Sequence, residues 1–262
     1  MAYRDGLSQE KGVIYRRSHP VPADQDDAHF AEDKMRSVLE IKGLSKEYTS
    51  GIFPFRAKDP VTALDNIDLD IDSPGEVVRI SGPNGSGKTT LLKCISGIIL
   101  PTRGTVRVLE KDIRKNHNDV IRNIGLLTDQ ERSFYWRLSG RENMRFFGGL
   151  HGLDKPTTDE RIRSLADRLQ IEDLVDEPFS GYSTGIRQRF SIMRALLHRP
   201  RLLLLDEPLR SLDRSSSERL SSLVLELSRE DGVTVIYTTH EQNPGGMPSS
   251  RHLRMDKGRV IA

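Results

Sequence analysis

Cysteine occurs once in these 262 residues, at Cys94, which excludes an internal disulfide framework and fits a reducing compartment. The thiol lies in a helical pattern and reads as packed core. Long apolar runs are also missing. Stretches such as Ile98-Ile-Leu100 and Leu202-Leu-Leu-Leu205 fall far below the roughly 18 residues needed to span a bilayer, so the chain is not expected to cross a membrane by itself. Neither charge dominates: 40 Lys and Arg stand against 38 Asp and Glu, a net +2. That balance argues against nucleic acid as the main partner, and none is expected. Residues 1–36 have no sustained apolar period and no apolar centre of a secretory signal. With Pro20, Pro22 and alternating charges they read as a flexible N-terminal extension. What remains, 37–262, is enough for one large or two small domains that need no staples.

The most informative feature present is Gly82-Pro83-Asn84-Gly85-Ser86-Gly87-Lys88-Thr89-Thr90. It stands between the apolar stretch Glu76-Val-Val-Arg-Ile-Ser81 and a helical pattern beginning near Lys88. Strand, glycine-rich turn and helix in that order form a phosphate-binding P-loop. The glycines let the backbone curl until successive N–H groups converge on phosphate oxygens, and the helix aims its positive end at the same place. Lys88 would then reach the β and γ phosphates of a nucleoside triphosphate, and Thr89 would hold Mg²⁺ through its hydroxyl.

Strand signals recur at Ser37–Ile41, Ile67–Ile71, Val77–Ile80 and Thr105–Val108, several short enough for an antiparallel sheet beside the P-loop strand. The middle of the chain turns helical. Ser139 followed by Glu142 is a capping box, with Met144, Phe147 and Leu150 continuing on one face, and Ile162, Leu165 and Leu169 mark a second helix. The last third returns to buried strands at Leu202–Leu205 and Val233–Ile236. Ligands bind at the carboxyl ends of such strands in an open α/β sheet. An apolar strand ending in Asp206-Glu207 therefore places Asp206 where it can hold Mg²⁺ and Glu207 where it can orient or deprotonate an attacking water. His240 ends the next strand in the same way and would contact the γ phosphate.

At Tyr182-Ser-Thr-Gly-Ile-Arg-Gln-Arg-Phe190, followed by Leu202-Leu-Leu-Leu-Asp-Glu-Pro208 and Ser211-Leu-Asp213, the chain resembles the ATP-binding subunits of ABC transporters across 38–262. The resemblance implies an α/β P-loop NTPase of ABC type: a RecA-like core, an antiparallel β subdomain and an inserted helical subdomain over about 133–185. It implies an ATPase that dimerises around two MgATP, lies peripherally on the cytoplasmic face of the plasma (inner) membrane and drives a separate transmembrane permease. Ser183 and Gly185 would open a helix whose N-terminus serves the γ phosphate held by the second ATPase subunit of a homodimer. Asp213 belongs with that nucleotide-binding set. Tyr48 would stack on adenine.

Several positions depart from the family pattern. Thr184 stands where a second glycine is usual. The segment that normally supplies a metal-sensing glutamine reads Leu127-Thr-Asp-Gln-Glu-Arg132: counting forward from Ile124-Gly125 selects Asp129, counting back from Arg141-Glu-Asn143 selects Gln130. Gln130 is preferred as metal ligand and catalytic-site residue, because an amide can ligate Mg²⁺ while neutral. Glu241–Gly246 forms a loop-like run where an acidic helix is usual. The Tyr-Ser-Thr-Gly signature and Glu131–Leu138 look like subunits of exporters of polysaccharides, lipids or drugs. A soluble ABC-type ATPase acting on nucleic acid or ribosomes is the alternative, weakened by the lack of a coiled-coil insertion or a second ATPase module. Finally, Phe134-Tyr135-Trp136 puts the only tryptophan in a run of three aromatics. Three adjacent side chains on a loop cannot all point inward, and the run is expected to dock the membrane partner.

Overall fold

The computed structural model describes residues 37–49, 60–128, 134–210, 212–240 and 247–261. The extension 1–36, Asp129, Gln130, Ser211 and the run 241–246 lie outside the described residues.

Among the described residues ten strands form two sheets. Strands β1 (Leu39–Tyr48), β2 (Val61–Ile71), β4 (Arg103–Val108) and β5 (Lys111–Asp112) make an antiparallel sheet in the order β2-β1-β4-β5. The second sheet runs β10-β9-β3-β8-β7-β6, built from β3 (Val77–Ser81), β6 (Ile124–Leu127), β7 (Leu202–Leu205), β8 (Thr234–Thr239), β9 (Arg251–Asp256) and β10 (Arg259–Val260). Its pairings are parallel except for β9 with β10. The expected α/β architecture, with an antiparallel sheet beside the P-loop strand, is what the chain adopts.

Alternation along the parallel strands explains why they are continuously apolar. In β7, Leu202 and Leu204 join one core, whereas Leu203 and Leu205 join the other. Ile236 of β8 and Val78 and Ile80 of β3 face the first core, while Val235, Tyr237 and Val77 face the second. A strand covered on both faces has no solvent side to mark with polar residues. The first core is completed by the antiparallel sheet and by α1 (Lys88–Ile95), which buries Leu91, Leu92, Cys94 and Ile95. Burial pushes the Cys94 thiol up to about 11, so it is inert.

The second core takes in α3 (Gly140–Leu150), α4 (Lys155–Leu169), α5 (Thr184–Leu196) and α6 (Arg214–Arg229); the short α2 (His117–Ile121) precedes β6 on the first-core side. The capping box at α3 forms as expected: the Glu142 amide donates to Ser139 Oγ, and the Ser139 amide donates to the Glu142 carboxylate at 2.8 Å. Ile162, Leu165 and Leu169 of α4 are buried. One expectation fails. Met144 is buried and Phe147 partly so, but Leu150 is 69% exposed. The buried stripe of α3 runs through Gly140, Asn143, Met144 and Gly148, and Leu150 falls outside it.

Candidate functional site

Three adjacent strands deliver the candidate residues to one edge of the parallel sheet. Strand β3 ends at Ser81 and passes into the P-loop, β7 ends at Leu205 just before Asp206-Glu207, and β8 ends at Thr239 just before His240. The order β3-β8-β7 places these three carboxyl ends side by side, where an open α/β sheet binds its ligand.

The loop from Gly82 to Gly87 accepts no side chains at its two tightest points. A Cβ on Gly82 would meet the Met255 carbonyl oxygen at 2.2 Å, and one on Gly87, whose φ is +103°, would meet that of Ala63 at 2.6 Å. Glycine is therefore required at both by close approach and by conformation. Gly87 is the N-cap of α1, so the helix begins at the loop and presents its unpaired N–H groups there. Pro83, Asn84, Gly85 and Thr89 are exposed and Thr90 half-exposed, while Ser86 and Lys88 are buried. The Lys88 ammonium donates to the carbonyls of Gly82 at 2.8 Å and Pro83 at 3.0 Å. Burial lowers its pKa, an effect opposed by the Glu207 and Asp206 carboxylates.

Thr89 links the loop to β7. Its hydroxyl donates to Asp206 Oδ2 at 2.7 Å, and Asp206 is itself buried. Glu207 adopts a left-handed backbone, φ +48°, sparsely populated by a side-chain-bearing residue. Its carboxylate stands 3.6 Å from His240 Nδ1 and 4.0 Å from Arg210. Thr89, Lys88, Asp206, Glu207 and His240 thus converge.

The residues present fit MgATP. Ser86 Oγ is buried with no hydrogen-bond partner, as expected for a polar group awaiting a ligand. The loop's close quarters admit only a backbone surface. Thr89 and Asp206 supply hard oxygen donors suited to Mg²⁺.

The other candidate residues are set apart. Ser183 is the N-cap of α5 and accepts from the Ile186 amide at 3.4 Å. Both Ser183 and Thr184 are exposed, and a Cβ on Gly185 would touch nothing within 4 Å. Asp213 caps α6, accepting from the Ser216 amide at 2.7 Å, and hydrogen bonds from Ser216 hold its carboxyl below the usual range. Tyr48 ends β1, 42% exposed, with Lys46 Nζ 5.3 Å from its ring centre. Gln130 lies outside the described residues.

The aromatic run divides as its loop position requires. Phe134 is buried and stacks on Phe179 at 4.3 Å, whereas Tyr135 is 50% and Trp136 44% exposed. Tyr135 meets the exposed Phe146 edge to face, and Arg187 of α5 lies 4.3 Å over the Trp136 ring. Two further residues, one in this region and one beside Asp206, had no role assigned from sequence. Fully buried Asn143 accepts from the Tyr135 amide at 2.8 Å and donates to the carbonyls of Tyr135 and Ser139 at 3.0 Å, fixing the loop. Thr238, also fully buried, donates to Asp206 Oδ1.

Comparison with known proteins agrees with this geometry. The family model described as ABC transporter matches residues 64–210. The chain is 37% identical over 183 residues to the ABC transporter ATP-binding protein NatA of Bacillus subtilis (strain 168), covering 70% of this chain and 74% of that protein. It is 35% identical over 198 residues to the taurine import ATP-binding protein TauB of Roseobacter denitrificans, covering 76% and 72%. Among solved structures, the dimeric post-hydrolysis state of the ATP-binding cassette MJ0796 bound to ADP and phosphate superposes with a TM-score of 0.75 at 27% identity, covering 86% of this chain and 97% of that one.

Proposed function

The chain belongs to the ABC transporter family of ATP-binding domains, and from that premise we propose that two copies close around two MgATP and power a transmembrane permease. The domain is an ATPase. The observation that carries its mechanism is the convergence of Lys88, Thr89, Asp206, Glu207 and His240 at three adjacent strand ends. On nucleotide binding, Lys88 exchanges the carbonyls of Gly82 and Pro83 for β- and γ-phosphate oxygens, joined by the amides from Gly85 to Thr90. Thr89 with Asp206 and Gln130 would hold Mg²⁺, which would offset the charge of those oxygens. Glu207 accepts a proton from a water whose oxygen bonds to the γ phosphorus. The bond to the β-γ bridging oxygen breaks, and ADP and phosphate leave. His240, beside Glu207, contacts the γ phosphate. Tyr48 stacks on adenine.

The open N-terminus of α5 supports a composite site. Ser183 and Thr184 are exposed, and among the described residues nothing lies within 4 Å of a Cβ placed on Gly185, a position suited to the γ phosphate on a second copy. Asp213 at the start of α6 lies with this half.

The exposed faces of Tyr135, Trp136, Phe146 and Leu150 suit a short helix of the permease, since apolar anchors beside arginines favour interfaces. Such a dock supports a peripheral position on the cytoplasmic face of the membrane. The Tyr-Ser-Thr-Gly signature supports export. A second reading, import, is favoured by relatives named for the import of taurine, sulfate and spermidine. Coexpression with a candidate permease tests the assignment. Replacing Tyr135 and Trp136 with Ala is expected to abolish copurification while leaving thermal stability and ATP-driven dimerisation intact. Unchanged copurification would remove the patch from this role, and substrate movement in vesicles carrying the complex decides direction.

A further inference from the structure

Asp206 and Glu207 are joined by a third residue. Thr238 is the fifth residue of β8 and is completely buried. Its hydroxyl donates to Asp206 Oδ1, and the same oxygen accepts from the Glu207 backbone amide at 3.0 Å. One side chain therefore grips the carboxylate assigned to the metal and the peptide that sets the direction of the carboxylate assigned to the water.

We propose that Thr238 is a positioning residue for both carboxylates, holding Asp206 in the orientation that receives Mg²⁺ and fixing the left-handed backbone from which Glu207 reaches the water. This rests on the assignment of Asp206 and Glu207 to MgATP made above. The two oxygens of Asp206 are divided: Oδ1 is tied to Thr238, while Oδ2 takes the Thr89 hydroxyl at 2.7 Å. Rotation of the carboxylate is thereby blocked, and Oδ2 is kept beside the Thr89 hydroxyl, where the two oxygens would receive the metal or its waters. Hydrogen-bonded partners behind a ligating carboxylate set its direction and basicity.

The grip on Glu207 has a separate reason. At φ +48° this residue occupies a sparsely populated conformation that persists only where the surroundings over-determine it. The Thr238 hydroxyl satisfies the amide of that strained residue at the point where the chain leaves β7. The neighbouring residue on β8 cannot substitute, because Thr239 points to the opposite face of the sheet. A threonine methyl fits the β-branched preference of a central strand, so size alone would be served by valine. The hydroxyl is what valine lacks.

Thr238→Val keeps the shape and removes both hydrogen bonds. Compared with the native chain, it is expected to bind ATP with unchanged affinity in EDTA, to need about tenfold more Mg²⁺ for tight nucleotide binding, and to turn over 10- to 100-fold more slowly. Thr238→Ser, which restores the hydroxyl, is expected to recover most of both losses. Titration calorimetry of ATP with and without Mg²⁺ reads the first effect independently of activity. Should the valine chain not fold, Thr238→Ala carries the same expectation. An unshifted Mg²⁺ requirement in a folded variant lacking the hydroxyl, or a serine variant as impaired as valine, overturns the proposal. Glu207→Gln run in parallel separates the two levels: near-normal turnover there overturns the assignment of Glu207, whereas an inactive Glu207→Gln beside an unshifted Thr238→Val overturns only the role of Thr238.

Discussion

Around Lys88 the polar groups turn inward, whereas around Ser183 they turn outward. Lys88 is buried on the carbonyls of its own loop, Thr89 is tied to Asp206, and Asp206 to Thr238. At the start of α5, by contrast, Ser183 and Thr184 are exposed and Gly185 opens onto free space. Both regions begin a helix, so both present unpaired backbone donors suited to an anion. They differ in what surrounds those donors. The first is enclosed by three strand ends of its own sheet; the second is open among the described residues. On the proposed reading a second copy completes the site, a symmetric pair supplying each open half to the other's enclosed one.

The largest expected effect breaks the enclosed half. Glu207→Gln keeps size and hydrogen bonding but removes the proton acceptor, so turnover should fall by about 10²–10⁴ while MgATP is retained and an ATP-bound dimer accumulates. Lys88→Ala should instead weaken nucleotide binding itself, with no dimer. Steady-state hydrolysis and light scattering with ATP check both, and near-normal turnover in Glu207→Gln would take that residue out of the water-activating role.

A smaller effect concerns how the helices beside the open half are attached to the sheet. His198, just beyond α5, lies near the Ile124 carbonyl of β6, its Nε2 at 3.0 Å, and stacks on His151 at the end of α3, ring centres 3.9 Å apart. Burial, with the nearby His151 and Arg161 charges acting in the same direction, pushes its pKa down to about 4 from 6.5. The unfolded chain takes up the proton near pH 6.5 and the folded one only near pH 4. Stability should therefore be full above pH 6.5 and decline as pH falls through that window. His198→Gln should flatten part of this decline, read as Tm against pH; an unaltered slope would assign the acid sensitivity elsewhere.

Much of this was legible in the sequence where chemistry forces a residue type. The P-loop could be read because close approach at Gly82 and Gly87 admits no side chain, and Asp206-Glu207 because an apolar strand rarely ends in two acids. The capping box at Ser139 was equally plain. Strand β9 escaped notice although Leu253 and Met255 are buried and alternate with charged residues, because its exposed face is basic enough to resemble a loop. Strand β6 is only four residues with a glycine inside, and a Cβ there would strike the Ala195 carbonyl oxygen at 2.3 Å. Its glycine marks close packing on α5, which periodicity does not reveal. Thr238 was invisible for a different reason. Its role depends on which strands are neighbours, and the order β3-β8-β7 is a property of topology.

The sharpest test of the two-half account mixes two broken chains. Ser183→Arg keeps the enclosed half and spoils the open one; Lys88→Ala does the reverse. Each alone should hydrolyse ATP at background. Mixed, a heterodimer regains one complete site, made from the P-loop of the first chain and the α5 N-terminus of the second, and hydrolysis should reappear in proportion to the heterodimer formed. Heterodimers demonstrated by mass with no gain in hydrolysis would contradict composite sites.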